Sequence, residues 1–437
     1  MLRVPAFTRC CTRPSARFPS WSLVAPSRSP RRSLSHKAPA QPSPPPTPPP
    51  PTPEIPSFRD TVIRNSAFKS FSDFNVKPRC RSQIMFFLGV SSFGFIMAAA
   101  NTDVETEYWV KRLSSGWRSA TLGNEDLVKA QYVQLGQELQ SGLERMKEVY
   151  QSIPLLLQVY ITKIHVTVAQ TYLDNNEGKR ICWKICLLNA AVYAAWKFKR
   201  FQPFMNIRFM HHPLSGRSYT LLTSMFSHRS LPHLLFNCLA LESFGAAAVH
   251  YFSKEQAKHQ PDQLEATPKW HFLAFYTSAG LFAGLVSHII STKWRYPRII
   301  AQALSSSKAS ATTTVTAAGA ASTAVASTAA KSSVGEILPS LGASGAIYAC
   351  VTLTALAFPE TEIALFIPPT FPIPIQWGVG GMLMIDIIGA ARGWRVLDHW
   401  AHLGGAAFGI FYYVYGPDFW SNLRENIEDM EDDADAS

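Results

Sequence analysis

The chain has 437 residues, a formal net charge of +11, 47% apolar residues and only 16% charged ones. Charge that sparse, with long apolar windows, excludes an ordinary water-facing enzyme and predicts an all-α, polytopic membrane protein with polar extensions. The positive charge forms no stripe with interleaved aromatics, so nucleic acid is not an expected partner. The seven cysteines build no disulfide framework.

Residues 1–53 carry seven arginines, one lysine and no acid among many Ser and Pro. That is the composition of an organelle-import presequence, ending at 42–53 in a polyproline linker. Residues 54–180 form an N-terminal region with a first predicted span at 84–100. Within it, LVKAQYVQLGQELQSGLERMKEVY has the periodicity of a soluble helix. The following IPLLLQVYITKIHVTVAQTYL (153–173) is apolar enough to be taken for a span. Lys163, His165 and two glutamines make it an interfacial amphipathic helix instead. Cys182 and Cys186 lie one turn apart without further ligands, which suits packing better than metal binding.

Six further spans are predicted at 181–197, 231–252, 271–290, 343–358, 373–391 and 397–415, giving one helix followed by a six-helix core over 181–415. The stretch ATTTVTAAGAASTAVASTAA (311–330) is uncharged but offers little large apolar surface, so 304–334 reads as a low-complexity loop insert. Residues 416–437 read as an acidic C-terminal tail. With seven spans, the helices beginning near 231, 343 and 397 start on one face. Loops on that face hold twelve Lys or Arg, against four on the other. The positive-inside bias therefore turns the first face toward the matrix or cytosol.

Chemistry gathers at the start of those three helices. His233 and Asn237 are four apart and share a helix face. Ser344 lies between small residues in PSLGASGAIYACVTL, and His402 lies in DHWAHLGGAAFG. Polar groups at membrane depth are expensive and by default mark function. The combination suggests acyl transfer: His402 takes the proton of Ser344, while His233, Asn237 and the Ser344 amide steady the oxyanion. Gly405 and Gly409, with Gly345 opposite, let two helices approach closely. Tyr348, at i+4 from Ser344, is placed to pack on the imidazole and orient it without a third acid. Asp398 reads as a helix-start carboxylate and Asp386 as a helix-packing hydrogen bonder. His211, His212 and His288 read as interfacial. No H-E-x-x-H pattern exists, and neither a metal nor another cofactor is expected.

The motifs GASGAIY, HRSLPHLLFN and AHLGGAAFG resemble the three signature helices of the rhomboid family of intramembrane serine proteases. The resemblance covers about 181–415. It implies Ser344 as nucleophile in a dyad with His402, His233 and Asn237 on the oxyanion side, Tyr348 stacked on the histidine, and His228 lining the cavity. The extra first span and the presequence resemble the mitochondrial branch, which implies an inner-membrane location. Its implied substrates are transmembrane segments, as in a dynamin-like fusion GTPase or imported precursors, with membrane lipid as the other partner. The long insert and a first core loop (198–218) lacking the Trp-Arg pair of bacterial relatives are departures. The alternative is a catalytically inactive relative that binds membrane clients.

Overall fold

The computed structural model describes residues 78, 80–114, 122–302, 337–364, 371–395 and 397–436, and side chains as far as 430. The expected presequence, proline linker and Ala/Ser/Thr insert lie outside the described residues. Among the described residues, apart from one two-residue strand pair and an isolated bridge, the ordered elements are helices, the longer ones being α1 (Arg81–Ser114), α2 (Asn124–Val149), α3 (Leu155–Asp174), α4 (Glu177–Lys197), α5 (Leu231–His259), α6 (Lys269–Gln302), α7 (Ser344–Ala357), α8 (Ile375–Arg392) and α9 (His399–Ala436). Among the described residues α1, α5 and α6 are long and apolar enough to cross a membrane, and α7 is a shorter apolar helix. The strands Glu362–Ile363 and Ile373–Pro374 pair antiparallel in the α7–α8 connection.

Helix α6 is the central post, touching α1, α7 and α9. It buries Phe272, Phe275, Tyr276, Ala279 and Leu281, while α7 contributes Ala346, Ala349, Cys350 and Leu353 to the same core. Small residues on α7 matter because no hydrophobic effect drives helices together in lipid; close backbone approach and dispersion must do it. A Cβ on Gly405 would strike the Gly345 backbone, and one on Gly409 would strike Ala349 and Thr352. The three glycines the sequence singled out are thus where α7 and α9 press together.

Helix ends follow local chemistry. The Asn176 side chain accepts from Lys179 N at 2.8 Å to start α4, and Ser230 caps α5 by accepting from His233 N at 3.4 Å. Helix α5 contains a π-helical turn at Leu241–Gly245, and α6 another at Ser291–Arg295.

The last helix departs from expectation. The region read as an acidic tail continues α9 as a helix, with Pro417 inside it. Arg424, 1% exposed, is buried in it. Its guanidinium pairs with Asp103 of α1, Nε to Oδ1 at 2.7 Å, and reaches Glu265 of the α5–α6 connection at 3.4 Å. Trp420 Nε1 donates to the same Glu265 at 3.1 Å. Burial, only partly offset by Arg424 and Trp420, pushes the Glu265 carboxyl up to about 7. This cluster ties the extra first helix to the core, helped by Phe95 against Tyr412 and Phe419.

Candidate active site

Ser344 opens α7 because the chain before it is pinned. Ser340 and His211 exchange backbone hydrogen bonds of 2.9 and 3.0 Å, and Gly342 N donates to Ser224 O at 2.9 Å. Gly342 has φ +123, a conformation glycine takes without strain. A Cβ there would also stand 2.8 Å from the His233 ring. The missing side chain lets the loop pass against His233 and deliver Ser344 beside it.

The Ser344 hydroxyl lies 2.9 Å from His402 Nε2. The Tyr348 ring stacks on His402 with centroids 4.2 Å apart and planes 11° from parallel. Three of the expected side chains therefore meet. His233 sits in the first turn of α5 with His228 edge-on to it at 5.0 Å, and His228 is fully buried. Asn237 is buried too, but its described bond runs to the His233 carbonyl at 2.8 Å and not to Ser344. No hydrogen bond joins His233 or Asn237 to Ser344 among the described residues. The first amide groups of α7 have no partner within their helix and lie at its positive end, next to the hydroxyl.

Asp386 makes the expected hydrogen bond between helices, but to an unexpected partner: its carboxylate accepts from His402 Nδ1 at 3.1 and 3.3 Å. His399, the first residue of α9, meets the same carboxylate at 2.5 Å. Asp386 is thus wedged between two imidazoles, 1% exposed, and the Tyr348 hydroxyl approaches it as well. A side chain at Gly389 would occupy the His399 ring, so α8 and α9 close together only because glycine stands there. The imidazole of His402, expected to be oriented by Tyr348 without an acid, therefore has one behind it. The signal in the sequence was Asp386 itself, the single acid of an otherwise apolar helix. Asp398 behaves as expected: it caps α9 by accepting from Ala401 N at 3.2 Å and holds Ser287 Oγ at 2.8 and 2.7 Å.

His211 and His288 are not interfacial, because both are buried. Their rings bond at 2.9 Å, and His211 Nδ1 pairs with Thr220 at 2.8 Å. Burial, reinforced by His288, pushes His211 down to about 3, so it is neutral near pH 7 and serves as a spacer under the loop. No group of His, Cys, Asp and Glu among the described residues could hold a metal ion.

A family model described as "Rhomboid domain" matches residues 215–417. The chain is 28% identical over 255 residues to the presenilin-associated rhomboid-like protein, mitochondrial, of Mus musculus, covering 58% of this chain and 53% of that one. The protein of the same name from Homo sapiens matches at the same identity and coverage. Rhomboid protein 1, mitochondrial, of Saccharomyces cerevisiae is 25% identical over 277 residues, covering 63% of this chain and 62% of that one. The chain thus matches about half the length of the animal relatives and somewhat more of the yeast one.

Proposed function

Since the chain belongs to the rhomboid family, we propose that it is an intramembrane serine endopeptidase cutting transmembrane segments of other proteins of the mitochondrial inner membrane. It is a multi-pass mitochondrial membrane protein. The observation carrying the proposal is the 2.9 Å contact between Ser344 Oγ and His402 Nε2, at the start of an apolar helix. A structural hydroxyl could bond its own backbone; this one is aimed at an imidazole that an acid holds from behind.

In this reading His402 carries its proton on Nδ1, donated to Asp386, so the Nε2 lone pair faces the serine. Ser344 Oγ attacks the scissile carbonyl carbon while Nε2 takes its proton. The carbonyl oxygen becomes an oxyanion next to the free amides of the first α7 turn, where the helix dipole favours negative charge. His233 and the second N–H of Asn237 approach from α5. As the intermediate collapses, His402 returns the proton to the leaving amine. The peptide bond breaks, and the N-terminal fragment remains as an ester on Ser344. Water, deprotonated by the same imidazole, then releases it. Asp386 is a positioning residue that fixes the tautomer and offsets the charge of the imidazolium.

The seven-span arrangement belongs to this proposal, with α4, α7, α8 and α9 completing what α1, α5 and α6 begin. The basic loops put the dyad toward the matrix side. A substrate helix keeps its carbonyls in internal hydrogen bonds, so it must unwind at the cut. Segments with Gly, Pro or small polar residues are the expected clients. The relatives named presenilin-associated are consistent with membrane-protein clients for this chain.

The test uses the full chain in proteoliposomes with a panel of tagged transmembrane substrates, comparing the parent with Ser344→Ala and His402→Ala. Cleavage by the parent alone supports the proposal. Equal cleavage by Ser344→Ala removes Ser344 as nucleophile. Substrates that co-purify uncut with every form favour a client-binding protein instead.

A further inference from the structure

Helices α2 and α3 form a hairpin in which α3 leaves most of its large apolar side chains uncovered. It is rooted in the core at both ends. At the α2 end Asn124 Oδ1 accepts from Glu265 N at 2.8 Å, Gln131 donates to the Ala266 carbonyl at 2.9 Å, and Leu127 is buried against Trp109 and Ala266. At the α3 end Arg180 of α4 donates to the Asn175 carbonyl at 2.8 Å and covers the Tyr172 ring. Near the tip, Tyr150 and Thr162 hydroxyls bond at 2.6 Å. The hairpin is therefore a held element.

The half-buried side of α3 mixes apolar Ile161, Ala169 and Leu173 with polar Thr162 and His165, and Leu173 approaches Gly136 of α2. Away from it, Leu156, Tyr160, Ile164 and Val168 recur every four residues in one stripe, each between 58% and 69% exposed. No residue of α3 is buried. In water such a stripe would turn toward its partner helix, because burying one large aliphatic side chain is worth about 1.5–3 kcal/mol. The hairpin covers only part of the apolar surface of α3, and Leu155, Leu157 and Val159 stand 51–75% exposed beside the stripe, so the outer face suits a medium other than water.

That medium is set by what α3 is joined to. Two residues, Asn175 and Asn176, separate it from α4, whose Leu187 stands 72% exposed on the outer surface of a membrane protein. Glu177, the first residue of α4, accepts from Thr267 of the α5–α6 connection at 2.7 Å. The root of α3 thus lies at the end of the bundle away from Ser344. Lys163 on the flank of the stripe can extend its ammonium to the headgroups. Among the described residues α3 is not one of the helices apolar enough to cross. From this uncovered apolar face and its continuity with α4 we propose that α3 lies in the lipid interface on the side opposite Ser344, its Leu156–Tyr160–Ile164–Val168 stripe in the acyl boundary and α2 covering its other side from above.

The proposal does not depend on proteolytic activity and is tested without it. p-Benzoylphenylalanine is placed in turn at Ile164, Val168 and Thr162 of the full chain, and each form is reconstituted in phosphatidylcholine–phosphatidylethanolamine vesicles and irradiated. Intact-mass analysis reads the adducts, after the melting temperature of each form has been matched to the parent. Phospholipid adducts at 164 and 168, at least tenfold above those at 162, are expected. Crosslinks from 164 or 168 to a second chain would assign the stripe to a protein contact. Absence of adducts at both in bilayers, with the 162 probe crosslinking to α2, would leave the stripe in water. Either result overturns the proposal.

Discussion

Asp386 and His402 stand on different helices, and the carboxylate of the first receives the Nδ1 of the second at 3.1 Å, on the side of the ring away from Ser344. The serine hydroxyl, the imidazole and the acid thus form one line through the ring. Asp386→Asn is expected to lower kcat by about 10²–10⁴-fold, the usual worth of a correctly poised base. KM and melting temperature should stay near the parent values, since His399 still finds an amide oxygen. Steady-state kinetics in proteoliposomes checks this, and an unchanged kcat would reduce Asp386 to packing.

Gly405 is where the two chemical halves are held in register. Gly405→Ala places a methyl against the Gly345 backbone, which cannot move without moving Ser344. Overpacking costs about 1–3 kcal/mol, and a shift of about 1 Å between nucleophile and base costs on the order of 10²-fold in rate. Thermal unfolding and cleavage should fall together. A change in stability alone would mean that the helices repack without disturbing the pair.

The carboxyl of Glu265, outside the spans, gives the fold a pH dependence. Its pKa is raised by burial to about 7, against 4.5 for the free side chain. The native state therefore binds more protons than the unfolded chain between those values. The resulting contribution is fully present below about pH 4.5, is lost as pH rises toward 7, and changes no further above it. Arg424, Asp103 and Glu177 are the charged groups that face the Glu265 carboxyl. Melting temperatures from pH 5 to 7.5 should fall in the parent and fall less in Glu265→Gln. Parallel curves would show that Glu265 enters the native state already ionised.

Arg424 is the cation of a buried cluster, so deleting it strands charge. Arg424→Ala removes the guanidinium that Asp103 and Glu265 share, and breaking a buried pair typically costs about 3–5 kcal/mol. The effect should concentrate on α1, exposing 81–114 to protease in detergent before the core yields. Arg424→Ala combined with Asp103→Ala should recover part of the loss, a coupling that a double-mutant cycle measures.

The site was partly legible because its signals are local. Ser344 and Tyr348 share a helix face by spacing alone, and the glycines around His402 announce a close helix contact. Asp386 was visible as an acid inside an apolar helix, but its partner is set by how α8 leans on α9, and spacing carries no information about that. The same limit hid Arg424: hydropathy registers the acids around it as a tail and cannot register that Asp103, far earlier in the chain, waits to receive a guanidinium. The uncovered face of α3 was missed for another reason. Its apolar character was plain, but which side α2 would cover depends on the roots of the hairpin.

His402 and Arg424 belong to the same helix, 22 residues or about 33 Å apart. One end of that beam carries the imidazole that meets Ser344, and the other is clamped to the first helix and to the connection in which the hairpin is rooted. Pro417 removes one bond from the backbone ladder between them. How stiffly the far clamp fixes the orientation of the imidazole therefore depends on the turn around that proline.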